Sequence, residues 1–173
     1  MDNYNPNIHH RKSIRLKGYD YSMPGLFFIT ICIHDKQCLF GIIENCKMAL
    51  NDAGRIADKC WMDIPAHFPN ALLHHHIVMP NHIHGIIELT VGAENFQPLR
   101  NEFQKIIPHS ICSIVRGFKI GVTNWFRDNK DSRIIWQRNY YEHIISDEKS
   151  YERIREYIIN NPRTWLKDDF FKD

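Results

Sequence analysis

The chain has 173 residues, 43% hydrophobic and 24% charged, which suits one domain with a real core and excludes a disordered polymer. Lys+Arg 22 against Asp+Glu 20 leave a formal net charge of +2, so any nucleic-acid role must come from local clustering of charge. The longest apolar run, Leu26 to Ile33, covers 8 residues, far short of the roughly 20 that span a bilayer, and no membrane partner is expected.

Residues 1–22 are polar and basic, with Arg11, Lys12, Arg15 and Lys17 close together and Tyr19 and Tyr21 behind them. They read either as a solvated arm or as a nucleic-acid contact. The opening MDNYNPNIHHRK carries no apolar signal segment, which predicts a cytoplasmic protein. Cysteines stand at 32, 38, 46, 60 and 112 with no Cys-x-x-Cys, so reduced thiols are expected rather than a disulfide framework or zinc ribbon.

Pro24-Gly25 marks a turn, and Leu26 to His34, rich in β-branched and aromatic residues, predicts a central strand. Leu39 to Glu44 predicts a second strand, and Lys47 to Leu50 pairs with it through an Asn45-Cys46 turn. Asn51 is placed to cap a helix whose buried stripe is Ala53, Ile56, Ala57, Cys60, Trp61 and Ile64, with Pro65 as its stop. Leu72 to Met79 and His82 to Thr90 flank Pro80-Asn81 and predict an antiparallel hairpin. Val91 to His109, without a period and with two prolines, reads as a long surface loop. From Ser110, Ile111, Ile114, Val115, Phe118, Val122, Trp125 and Phe126 define a second amphipathic helix. Gly117 and Gly121 inside it read either as close approach of another backbone or as tolerated sequence variation. Ile134 to Gln137 and Tyr141 to Ile145 read as short strands or extended edge segments. Ser146 or Asp147 caps a third helix with a stripe of Tyr151, Ile154 and Ile158. It is expected to end at Asn161, because a residue before proline resists the α conformation. The order of elements predicts an α+β fold, an antiparallel sheet with helices packed on it.

The most pointed local feature is Met79-Pro80-Asn81-His82-Ile83-His84. Residues i and i+2 of a strand share a face, so His82 and His84 present two imidazoles side by side. Such a pair is either a polar strand face or an open metal site able to hold a phosphate oxygen. His74 and His76 form a rival pair by the same spacing. On the third helix, Tyr157 and Asn161 are four apart and flank the buried stripe, each displaced by about 60° from it. A phenol there is an amphipathic rim residue or a nucleophile toward phosphorus. Asn161 offers a carbonyl oxygen to a metal.

The segments MPNHIH, IWQRNYYEHI and RIREYIINNP, with RKSIRLKGYDYSMPGLFFITICIHDKQCLFG and LNDAGRIADKCW before them, resemble the REP-associated tyrosine transposases. These belong to the HUH single-tyrosine transposases of insertion-sequence type, which act on single-stranded DNA. The resemblance covers nearly the whole chain apart from residues 91–109. It implies a single transposase domain over 1–173 with a ferredoxin-like or RRM-like fold, a basic arm at 1–22 and a variable loop at 91–109.

On that resemblance Tyr157 is the nucleophile, with Tyr140 and Tyr141 as rivals. His82 and His84 are metal ligands, joined by Asn161 where other relatives carry glutamine, around one Mg²⁺ or Mn²⁺. The implied activity is cleavage and rejoining of single-stranded DNA at hairpin-bearing repeats through a 5′-phosphotyrosine link. Arg11, Lys12, Arg15, Lys17, Arg116, Lys119 and Arg138 are the expected DNA contacts. Trp136 is a candidate for base stacking. Some relatives pair so that the tyrosine helix completes a partner's site, which leaves a homodimer open. Two other readings stay open beside this one, a retired nucleic-acid binder and a phosphodiesterase that uses water.

Overall fold

The computed structural model describes residues 23–90 and 108–171. The basic arm at 1–22 and residues 91–107 of the expected loop lie outside them.

Four antiparallel strands form the main sheet in the order β4-β5-β1-β6. They are β1 (Gly25–Cys32), β4 (Ala71–Val78), β5 (His82–Leu89) and β6 (Tyr141–Ile145). β1 is central, pairing with β5 and β6, and its continuous apolar run follows from burial on both faces. Phe27, Ile29, Ile31 and Ile33 point into the larger core, whereas Phe28 points into a smaller one on the opposite side.

The larger core lies under α1 (Asp52–Met62), α2 (Ile64–His67) and α3 (Ile111–Asp128). Trp61, Phe27, Ile83 and Ile87 are fully buried there, each contributing roughly 1.5–3 kcal/mol by leaving water. The smaller core joins Phe28, Ile86 and Ile145 to Ile154 and Ile158 of α4 (Glu148–Thr164). Thus, of the longer helices among the described residues, α4 covers the second face. The short strands β2 (Gly41–Glu44) and β3 (Lys47–Leu50) form a separate hairpin. Its turn residues Asn45 and Cys46 have φ of 50° and 60°, as a two-residue hairpin turn requires.

The predicted caps at Asn51 and Asp147 form: Asn51 Oδ1 accepts from Gly54 N–H at 2.9 Å, and Asp147, rather than Ser146, accepts from Ser150 N–H at 2.8 Å. Ser110 Oγ also caps its helix, accepting from Ser113 N–H. Other boundaries move. Pro65 does not stop the first helix: α1 has ended at Met62, and Pro65 sits in the first turn of α2, where its missing N–H costs nothing. Ile134 to Gln137 makes no strand, only an isolated bridge between Trp136 and Ile33. Gly117 and Gly121 admit side chains rather than a backbone, since an added Cβ would meet the Phe68 ring at 3.1 Å and Cys60 Sγ at 3.3 Å.

Two corrections bear on function. α4 does not end at Asn161 but runs through Pro162 to Thr164. Asn161 and Pro162 are both buried, and that packing outweighs the pre-proline preference. Thr164 Oγ1 donates to the carbonyls of Asn160 and Asn161 and helps to close the last turn. Second, His74 and His76 do not share a face. A register shift between Leu73 and His76 turns His74 toward Tyr151 of α4, whereas His76 stacks on Trp61 of α1. A bulge adds one residue and reverses the alternation.

Candidate active site

His82 and His84 open β5 on the face covered by α4. Their ring centroids lie 4.4 Å apart, and both are buried. Each ring is held at Nδ1. Asn81 Oδ1 accepts from His82 Nδ1–H at 2.9 Å, and Thr30 Oγ1 on neighbouring β1 lies 2.8 Å from His84 Nδ1. The Asn81 amide is fixed in turn, because its Nδ2 donates to the carbonyls of Lys36 and Phe170. That orientation leaves only Oδ1 for the imidazole and puts the His82 proton on Nδ1, so Nε2 carries a bare lone pair. Such outer hydrogen bonds are how proteins aim ligating histidines.

Tyr157 and Asn161 reach the same place from α4. The Tyr157 hydroxyl lies 3.1 Å from His84 Nε2 and donates to Asp168 Oδ2 at 3.4 Å. Asn161 Nδ2 donates to that same Oδ2 at 2.8 Å. The helical period puts the two residues one turn apart on one side, and the unbroken passage through Pro162 keeps Asn161 there. Phenol and imidazoles come from one chain, so the constellation is complete without a partner.

The segment after α4 closes over the site. A 3₁₀ turn at Trp165–Lys167 leads to Asp168, and Phe170 packs its ring against both imidazoles, tilted to His82 at 4.7 Å and edge-on to His84 at 5.8 Å. Asp168, Asn81, Thr30 and Phe170 are site residues that the sequence reading missed. Asn81 was legible in principle, as the polar neighbour of the paired histidines. Asp168, in a short polar tail, carried no local signal.

Burial pushes His82 down to about 4 against the opposing pull of the Asp168 charge. Burial also holds His84 well below the usual imidazole range, with the His82 charge adding to it. Both rings are therefore neutral near pH 7, the form that binds metals. Burial and then the Asp168 carboxylate push the Tyr157 phenol up to about 12.

Among the described residues, His82, His84 and Asp168 each offer a ligand atom within 4.8 Å of one another. His82 Nε2 and Asn161 Oδ1 are buried acceptors with no hydrogen-bond partner. Buried lone pairs facing no proton are costly, and a cation in contact with them would offset that cost. The donor set of neutral nitrogens and oxygens fits a divalent ion.

The rival residues lie elsewhere. The Tyr140 hydroxyl donates to Cys112 Sγ on α3. Exposed Tyr141 meets Phe28 edge-on, 6.5 Å between ring centroids. His74 bonds Tyr151 and Glu88, and His76 bonds Asp58. On the far face of the sheet, Arg116, Lys119 and Arg138 line with Arg127 a groove of about 410 Å³ between α3 and residues 138–140. Lys119 Nζ donates there to the carbonyls of Gln137 and Asn139. Trp136 is half-buried over Phe118 and Phe40, its Nε1–H donating to Lys119 O. Arg11, Lys12, Arg15 and Lys17 lie outside the described residues.

No family model matches the chain. An uncharacterized protein of Haemophilus influenzae (strain ATCC 51907 / DSM 11121 / KW20 / Rd) is 51% identical over 176 residues, 98% of each chain. A second protein of that strain, a candidate REP-associated tyrosine transposase, is 26% identical over 167 residues, 89% of this chain and 84% of that one. A solved REP-associated tyrosine transposase bound to a REP hairpin shares the fold, with a TM-score of 0.62 at 19% identity over 92% of this chain and 76% of that chain. The chain is thus similar to REP-associated tyrosine transposases in sequence and in fold. The α+β architecture expected for that family is the one observed. Among the described residues, no helix is long and apolar enough to cross a membrane.

Proposed function

We propose that this chain is a REP-associated tyrosine transposase that cleaves and rejoins single-stranded DNA at hairpin-bearing repeats, through a 5′-phosphotyrosine intermediate. The observation that supports this most directly is the Tyr157 hydroxyl 3.1 Å from His84 Nε2, beside buried acceptors that have no proton donor. His82 and His84, through Nε2, and Asn161, through Oδ1, would hold one Mg²⁺ or Mn²⁺. A divalent ion there supplies Lewis acidity to the non-bridging phosphate oxygens and lowers the cost of a phenolate beside it.

The chain's own residues account for the rest. Tyr157 Oη attacks phosphorus, and the new P–O bond forms as the bond to the 3′ oxygen breaks. The leaving oxygen keeps the electron pair and takes a proton, giving a 3′-hydroxyl. The phenol proton leaves to solvent, which reaches Tyr157 because the residue is 41% exposed. Attack by a 3′-hydroxyl on the phosphotyrosine reverses the step and rejoins the strand, so no nucleotide cofactor is needed. Asn81 and Thr30 hold the imidazoles throughout. Arg116, Lys119 and Arg138, with the arm residues Arg11, Lys12, Arg15 and Lys17, would bind the phosphates of the folded strand. A cytoplasmic location, where single-stranded DNA arises during replication, fits this role.

The test is a suicide assay with Mn²⁺ and single-stranded DNA carrying a repeat hairpin, read on a denaturing gel. A protein–DNA adduct is the expected result. Cleavage without an adduct would assign a hydrolase that uses water, and binding without cleavage would assign a retired binder.

A further inference from the structure

Resting on the metal-dependent reading above, we infer that Asp168, in the segment after the tyrosine helix, is a further ligand that completes the metal site. Its two oxygens have separate tasks. Oδ1 accepts from the Phe170 N–H at 2.8 Å, which fixes the carboxylate's rotamer from within its own turn. Oδ2 faces the site, accepts from Asn161 Nδ2 at 2.8 Å, and lies with the two imidazoles in the cluster whose ligand atoms fall within 4.8 Å of one another. A carboxylate oxygen has two lone-pair positions; on Oδ2 Asn161 holds one, and the other takes only the long 3.4 Å bond from the Tyr157 hydroxyl, which a cation would replace.

Charge and donor hardness point the same way. Two neutral imidazoles and an amide oxygen supply no negative charge, whereas Mg²⁺ and Mn²⁺ favour carboxylate oxygen. Among the described residues no Lys or Arg forms an ion pair with Asp168. A half-buried carboxylate beside the partnerless acceptors His82 Nε2 and Asn161 Oδ1 is otherwise unbalanced. With Asp168 bound, a divalent ion keeps one net positive charge, which matches the single negative charge of a phosphodiester.

The turn that carries Asp168 is built to hold it there. Lys36 Nζ donates to the Asp169 carbonyl at 2.6 Å, and Asn81 Nδ2 donates to the Phe170 carbonyl at 2.8 Å. The residue that orients His82 therefore also docks the segment bearing Asp168. On this inference Asn161 has a second task, positioning the carboxylate through Nδ2.

The experiment is titration of the DNA-free protein with Mn²⁺, following the free-ion signal by electron paramagnetic resonance. Wild type is expected to bind one Mn²⁺ per chain. Asp168→Asn should weaken binding about tenfold or more, whereas Asp169→Asn, which alters the exposed neighbouring carboxylate, should leave it unchanged. Phe170→Ala, which loosens the same turn but keeps the carboxylate, should weaken it less than Asp168→Asn does. Asp168→Cys should lose Mn²⁺ yet retain Cd²⁺, because a thiolate ligand favours the softer ion; a carboxylate that only anchors the tail would show no such switch. Equal Mn²⁺ affinity in wild type and Asp168→Asn overturns the assignment of Asp168 and leaves the histidine site standing. Absence of Mn²⁺ binding by wild type overturns the metal reading itself, and this assignment with it.

Discussion

The Tyr157 hydroxyl and His84 Nε2 lie 3.1 Å apart although 73 positions separate them in the chain. α4 crosses the one sheet face that the large core does not occupy, and β5 offers its paired imidazoles there. Tyr157→Phe removes the oxygen and little else, since the ring still meets Phe28 edge-on at 6.2 Å. The covalent adduct should disappear while DNA affinity, measured by fluorescence anisotropy, stays within about twofold. An undiminished adduct would make exposed Tyr141 the nucleophile.

His82→Ala or His84→Ala should each lower the cleavage rate by roughly a hundredfold to a thousandfold, because several kcal/mol of charge stabilisation are lost. Chelator should silence the wild type to the same degree. Asn161→Ala should fall less than either, since amide oxygen is the weaker donor. Activity that survives chelation would remove the metal from the mechanism.

Asn81→Ala leaves both imidazoles in place but frees the His82 ring, and Mn²⁺ affinity should fall by about 10–100-fold. The second consequence is specific to this fold. Asn81 Nδ2 also docks the Phe170 carbonyl, so proteolysis after the C-terminal aromatics should become faster. Unchanged affinity would show that burial alone fixes the ring.

Lys119 makes stability depend on pH in the alkaline range. Burial pushes its ammonium from 10.5 down to about 8. Between about pH 8 and about pH 10 the unfolded chain then binds more protons at this group than the folded chain, so stability rises with pH across that window. Below the window the buried charge weighs fully against the fold. Urea midpoints at about pH 7.5 and about pH 9.5 should show this rise in wild type relative to Lys119→Met. Parallel midpoints in the two proteins would refute it.

Gly85 is required by its neighbour. A Cβ there would come within 2.2 Å of the Trp61 indole, which also stacks on His76. Gly85→Ala should cost about 1–3 kcal/mol by overpacking, read from urea unfolding. Because Gly85 follows His84 directly, cleavage should fall as well.

Sequence by itself determined which side of its own element each reacting group occupies. The alternation of a strand places His82 and His84 together, and the period of a helix places Tyr157 beside Asn161, because both patterns are set by local backbone geometry. The caps at Asn51 and Asp147 were legible for the same reason. Tertiary packing decided the rest. A bulge in β4 split His74 from His76, and burial of Asn161 and Pro162 carried α4 past the residue where local preference would end it. A short turn held by Lys36 and Asn81 brought Asp168 into the site. These outcomes depend on contacts between segments distant in the chain, whose energies no local pattern of residues encodes.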